Sequence, residues 1–187
     1  PLAVYYQVKG EFNISLIDHD NYFQMDLDLL IEHLDNTRDK YDHCIILSVH
    51  LYGHPCDMDK IMELSKEHNF HVIEDCSQSH GSKINNIRVG NFGDISFFST
   101  MASKLHCTGG TGGVVYTRNK RLIRLSQMFA DRGKLLDKSG NFEGKYTNFG
   151  INCTLDEISA AIGCVQIDKL KKNIKKTNFM GETIKKN

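Results

Sequence analysis

The segment 44–75 admits few folds. It opens with Cys44-Ile45-Ile46-Leu47-Ser48-Val49, a continuous apolar run of the kind expected for a strand buried on both faces. Turn residues follow at Leu51-Tyr52-Gly53-His54-Pro55. Asp57 then stands as the N-cap of a helix over 58–68, with apolar residues at 58, 61, 62 and 64. A second strand is expected over 70–74. Strand, helix and strand at this spacing make the βαβ unit of a parallel sheet, joined by a right-handed crossover.

The rest of the chain extends that pattern. Two short strands are expected at 2–6 and 13–17. Asp26 caps a helix over 26–34, with apolar residues at 27, 30, 31 and 34. The polar stretch 77–91 reads as loop with at most one helical turn. Strands are expected at 94–99 and 113–117, and Asn119 caps a helix over 120–130. Residues 131–150 carry seven charged residues, four glycines and no clear period, and read as a long surface loop. An amphipathic helix is expected over 155–174, with Thr154 and Glu157 as a capping box. Its apolar positions 155, 158, 162, 165, 167 and 170 are expected to face a core or a partner.

Composition narrows the class. At 187 residues the chain is the size of one domain. Its formal net charge is zero, which gives no reason to expect nucleic acid or an anionic membrane as partner. The lysines at 169, 171, 172, 175, 176, 185 and 186 lack interleaved aromatics and read as a solvated helix face. There is no apolar run of about eighteen residues, the length a membrane helix needs. The six cysteines form no C-x-x-C pair and read as reduced thiols of a cytoplasmic protein. Cys and His spacing gives no metal site.

Chemistry concentrates in 71–113. An apolar strand ends in acid at Val72-Ile73-Glu74-Asp75; another runs Ile95-Ser96-Phe97-Phe98-Ser99. A lone Lys104 follows, then glycines at 109, 110, 112 and 113. An acid at the C-terminal end of a buried strand points into the crevice where open α/β sheets bind ligands. A carboxylate and a lysine sharing that crevice fit pyridoxal phosphate: the lysine forms a Schiff base and the carboxylate keeps the pyridine nitrogen protonated. The same residues also allow a plainer reading, with Asp75 as a helix cap and Lys104 on the surface.

Four linked motifs favour the first reading. Ile73-Glu74-Asp75-Cys76-Ser77-Gln78-Ser79-His80-Gly81, Gly93-Asp94-Ile95, Phe98-Ser99-Thr100 with Lys104, and Gly109-Gly110-Thr111-Gly112-Gly113 stand in order. Together they resemble the DegT-like family of pyridoxal-phosphate-dependent nucleotide-sugar aminotransferases, a resemblance that reaches from about Phe12 to Ile174. It implies an α/β fold: the three-layer α/β/α large domain of a fold-type-I aminotransferase, with a mostly parallel sheet. Residues 1–153 would be the cofactor-binding portion. Residues 154–187 would be a long helix leading towards a truncated C-terminal small domain, so the chain is expected to be a partial one.

The resemblance also implies roles. Lys104 is the nucleophile and proton carrier, Asp75 accepts the pyridine N–H, Gln78 bonds the ring hydroxyl and Ser99 binds the phosphate. Asn152, in Gly150-Ile151-Asn152-Cys153-Thr154, matches an asparagine that reaches the cofactor phosphate of a neighbouring subunit, so a homodimer is implied. Thr154 stands where the family has arginine, and Thr111 where it usually has an acid. His50 and His80 read as structural. The implied reaction moves an amino group, usually from glutamate, to a keto carbon of a nucleotide-linked deoxysugar for polysaccharide, lipopolysaccharide or glycoside biosynthesis. Rival readings are a sugar dehydratase, a cyclitol aminotransferase, a non-catalytic remnant and a dinucleotide-dependent oxidoreductase. Lysine rather than histidine at 104 disfavours the dehydratase. The lack of G-x-G-x-x-G after the first strand disfavours the oxidoreductase.

Overall fold

A computed structural model describes residues 13–37, 40–137 and 139–185. The strand expected at 2–6 and Lys186 lie outside the described residues. Helix α1 is Leu27–Thr37, and the Asp26 carboxylate accepts the amides of Asp28 and Leu29 at its start. Strand β1 is Ile45–Val49, helix α2 is Met58–His68 and strand β2 is His71–Asp75. Asp57 caps α2 by accepting the Lys60 amide, and Asn69 closes it in the left-handed region. Strand β5 is Ile95–Ser99 and β6 is Gly113–Tyr116. The sheet runs β1-β2-β5-β6, parallel across the first two pairings and antiparallel at the last.

Alternation along the strands sorts two faces. One carries Ile46, Ser48, Val72, Glu74 and Ser96, all buried. Leu30, Leu34, Met58, Ile61 and Leu64 of α1 and α2 complete the core against it. The other face carries Ile45, Leu47 and Val49, which stay 56%, 47% and 39% exposed. β1 is therefore buried on one face, not on both as its apolar run implied. Apolar residues on both faces show only that both suit burial; within this chain the helices next to β1 pack on one side.

Helix α3 is Lys120–Ala130, capped by the Asn119 side chain on the Arg121 and Leu122 amides. Helix α4 is Glu157–Lys185. Asp156, not Thr154, bonds the first turn, through the amide and hydroxyl of Ser159; the expected capping box is displaced because Asp156 lies closer to the true start. α4 seats buried Gly163 against Thr108 and His106, with the Gly163 carbonyl 3.1 Å from His106 Nε2. Of its expected core positions, Ile158, Val165 and Ile167 remain mostly exposed.

Three further expectations change. Residues 13–17 form no strand; Leu16 is almost fully exposed, and the nearest pairing is the isolated His19–Met25 bridge. Within 77–91 a small hairpin joins β3 (Lys83–Ile84) to β4 (Ile87–Arg88). Asn85 and Asn86 both take positive φ there, the requirement of a tight hairpin turn. Residues 131–150 hold a second hairpin, β7 (Lys134–Leu136) with β8 (Phe142–Tyr146). Asp137 folds its turn by accepting the Ser139 and Asn141 amides. β8 is exposed along its whole length, so no apolar alternation marks it in the sequence.

Candidate active site

The parallel register places Asp75 opposite Phe97, and Ser99 lies two residues further along β5. Both therefore project from the same sheet face, the one turned away from the α1–α2 core. Asp75 is half-buried at the end of β2. Its Oδ1 accepts the Ser77 amide at 2.9 Å, and its carbonyl accepts the His50 amide at 3.0 Å. Ser99 is half-buried too, and its Oγ accepts the Met101 amide at 3.3 Å. Gln78 is exposed beyond β2. Its Oε1 accepts the Tyr52 amide at 3.1 Å, tying the loop after β2 to a turn in which Tyr52 holds φ +53°.

Lys104 sits in the loop from β5 to β6. The loop is pinned at its base by Thr100 N to Gly112 O and Ala102 N to Gly110 O, both 2.9 Å. Inside it the Thr100 and Thr108 hydroxyls meet at 3.0 Å. Gly112 must be glycine, because a β-carbon would stand 2.6 Å from each of those oxygens. Gly109 takes φ +85°, where side chains are strained; Gly110, Gly112 and Gly113 do not, so close approach rather than positive φ explains Gly112. The Lys104 amide donates to Met101 O at 2.9 Å. Its ammonium makes no hydrogen bond or ion pair among the described residues.

A cleft of about 1000 Å³ opens on this face between the sheet and α3, lined by Ser77, Phe97, Ser99, Gly113, Phe129 and Cys153 among others. Of the five residues expected at the site, Ser99 lines it. Asp75 stands beside it at the end of β2, next to the lining Ser77. Asn152 is exposed at its margin, bridged to Asp131 and adjacent to the lining Cys153. Its Oδ1 lies 3.4 Å from the Thr154 hydroxyl. Gln78 and Lys104 belong to the loops above the strand ends.

A polar cluster beneath Asp75 escaped the sequence reading. Glu74 is fully buried. Its Oε1 accepts the Phe92 and Gly93 amides at 2.8 and 2.7 Å; its Oε2 accepts the Gly90 amide at 2.6 Å and His50 Nε2 at 3.1 Å. Burial is the largest influence on this carboxyl and pushes its pKa up. The hydrogen bonds from His50, Gly93, Gly90 and Phe92 outweigh it and hold the group below the usual carboxylate range. Burial lowers the pKa of the equally buried His50, while its bond with Glu74 draws it up. However, Nδ1 of His50 accepts the Cys56 amide at 3.1 Å. A cationic ring would turn a proton onto that amide, so the observed contact is that of the neutral ring with its proton on Nε2. His50, Glu74 and Cys76 also bring three ligand-type atoms within 4.8 Å of one another. Both His50 nitrogens and both Glu74 oxygens are already engaged, so this is a closed hydrogen-bond network. One signal could have revealed it: Val72 and Glu74 share a strand face, and an acid facing the core must find donors there.

The comparisons with known proteins agree with the motifs. The DegT/DnrJ/EryC1/StrS aminotransferase family matches residues 13–187. A GDP-perosamine synthase from Escherichia coli is 39% identical over 142 residues, which is 76% of this chain and 38% of that protein. A dTDP-3-amino-3,6-dideoxy-alpha-D-galactopyranose transaminase from Aneurinibacillus thermoaerophilus is 38% identical over 127 residues, 67% of this chain and 33% of that protein. Among solved structures, an aminotransferase from Psychrobacter cryohalolentis superposes with a TM-score of 0.76 at 31% identity, over 89% of this chain and 43% of that one. The chain thus spans about two fifths of the length of these relatives. With the family match running through nearly all of it, and the acid, serine, lysine and glycine turn falling at one end of a mostly parallel sheet, the chain belongs to the DegT/DnrJ/EryC1/StrS aminotransferase family.

Proposed function

We propose that the chain is the catalytic portion of a pyridoxal-phosphate-dependent aminotransferase, moving an amino group from glutamate to a keto carbon of a nucleotide-linked deoxysugar. One observation supports it above others. A carboxylate and a serine leave the same sheet face at adjacent strand ends, with a lysine in the next loop that has no partner among the described residues. The residues fit the cofactor. Asp75 Oδ2 has no partner among the described residues and can accept a pyridine N–H. Ser99 lines the cleft where a phosphate can be bound, and among the described residues the Gln78 amide donors have no partner while its oxygen is held by Tyr52.

Pyridoxal phosphate, when bound, supplies the carbonyl and the electron sink that amino exchange needs. The chain supplies the rest. Asp75 holds negative charge against the ring nitrogen, and the Ser77 amide fixes its carboxylate. Lys104 Nζ takes and returns the proton at the substrate carbon. In this reading Asn152 serves a second subunit's phosphate, consistent with its exposure at the cleft margin, so the enzyme acts as a homodimer in the cytoplasm. Residues 1–153 are the cofactor-binding part, and α4 leads towards a small domain.

The test is titration with pyridoxal phosphate followed by visible absorbance, then borohydride reduction and peptide mapping, in the parent and in Lys104→Ala. A new band and a reduced adduct on Lys104, both absent from the variant, are expected. A band that persists in the variant, or none in the parent, overturns the assignment.

A further inference from the structure

We propose that a second cleft, on the opposite face of the sheet from Asp75 and Ser99, binds a phosphate monoester with an apolar body. The cleft measures about 780 Å³, within the range of small-molecule sites. Its walls are the end of the sheet, the β3–β4 hairpin and α4. The floor is apolar, from Phe98, Val114, Ile167 and Leu170. The rim is basic: Lys83 and Arg88 stand on the hairpin, with Lys171 and Lys175 one helical turn apart on α4. No carboxylate lines it. Among the described residues none of these four cations has an ion pair, so their charge is uncompensated at one mouth.

A second, independent observation points inward. His80 lines the cleft and is only 7% exposed, yet its Nε2 has no hydrogen-bond partner. A buried nitrogen without a partner costs stability unless something fills the role. The ring is fixed: it bonds the Ser99 backbone and packs against Phe98, with centroids 5.6 Å apart. Close packing by α4 against Gly81, at a point where a β-carbon would collide with Ile174, keeps the helix over the ring. The ligand must therefore offer Nε2 a polar atom at the inner end and negative charge towards the four cations.

Phosphate monoesters satisfy both demands. Their second ionisation lies near pH 6, about 6 in pKa, so one group presents anionic oxygens and an exchangeable proton together. It can bond an imidazole nitrogen whether that nitrogen donates or accepts. A carboxylate or sulfate offers only acceptors at neutral pH, and a neutral alcohol leaves the cations unmatched. The apolar floor accounts for the ester body. The lysine run on α4 is then more than a solvated face at positions 171 and 175.

Phenyl phosphate is the probe, compared by calorimetry with phenol and inorganic phosphate. Saturable binding of phenyl phosphate, tighter than either comparator and weakened by salt, is expected. The Lys171→Gln/Lys175→Gln variant, altered only on an exposed helix face, should bind about tenfold more weakly, the equivalent of roughly 1.4 kcal/mol. The His80 Nε2 resonance, followed by nitrogen NMR, should shift on binding. No saturable heat, a stationary His80 resonance, or unchanged affinity in the double lysine variant each overturns the proposal. Asp75→Asn, on the other sheet face, should leave this binding intact while weakening cofactor uptake, so failure of one site is distinguishable from failure of the other. Loss of phenyl phosphate binding in Asp75→Asn would place the ligand at the other site and also overturn the proposal.

Discussion

Replacing Glu74 by glutamine keeps the shape and exchanges one acceptor oxygen for an NH2 group. The native carboxylate takes four donors: the amides of Gly90, Phe92 and Gly93, and His50 Nε2. If the glutamine oxygen stays with Phe92 and Gly93, its NH2 faces the Gly90 amide and His50 Nε2. His50 cannot escape by moving its proton to Nδ1, because the Cys56 amide already points there. The reverse orientation strands the Phe92 and Gly93 amides instead. Either way two buried donors lose their acceptor. At about 1–3 kcal/mol each the loss is about 2–6 kcal/mol, a large part of the roughly 5–15 kcal/mol that holds a domain together. Urea unfolding followed by circular dichroism measures this as a fall in midpoint at unchanged slope, and hydrogen exchange should quicken at the amides of residues 90, 92 and 93. Glu67→Gln, on the exposed face of α2, is the control and should shift stability by no more than about 0.5 kcal/mol. A Glu74→Gln protein as stable as the control, with unchanged exchange at those amides, would refute the reasoning.

Other predictions follow from single features. Acidification should destabilise the fold through two groups. Glu74 has its pKa lowered in the folded state, so its contribution is present above the unfolded carboxylate value and lost as pH falls through the folded one. His80 is lowered by burial and by the nearby His106 and Lys104. The unfolded chain therefore binds its proton first, and stability falls as pH drops below about 6.5; a midpoint in urea that does not fall from pH 7 to pH 5 would contradict the His80 reading, and one that does not fall further below about pH 4 would contradict the Glu74 reading. Gly112→Ala should disturb the Lys104 loop, because the new methyl meets two threonine hydroxyls; cofactor uptake at unaltered affinity would count against that packing. Asn119→Ala removes the cap of α3 and should cost about 1 kcal/mol of unfolding free energy, read from the same denaturation curves.

The sequence made the βαβ core legible because each signal there is local. Asp57 and Asn119 cap helices with their own side chains, and the apolar period of α2 falls inside one element. The common face of Asp75 and Ser99 was legible only as far as strand alternation allows; the β2–β5 register that sets them side by side is a long-range property. The closed cluster around Glu74 joins residues from three loops and could not be read from spacing. The hairpins at 83–88 and 134–146 were missed for a different reason. Their strands are short or fully exposed, so no apolar alternation marks them, and only the Asn85-Asn86 pair and the Asp137 turn gave a cue. The start of α4 was misplaced because Thr154 and Asp156 are both good caps two residues apart, and only the backbone path selects between them.

The sorting of β1 has a consequence for handling the protein. In the four-stranded sheet β1 is an outer strand, and its segment Ile45–Val49 carries no charge, proline or glycine. Among the described residues one long side of the strand has no partner strand in that sheet, and one face presents three branched aliphatic side chains to water. Such a strand is a template for edge-to-edge addition of another chain. This chain's self-association should therefore rise with concentration more steeply than zero net charge alone would cause, and Leu47→Lys should relieve it.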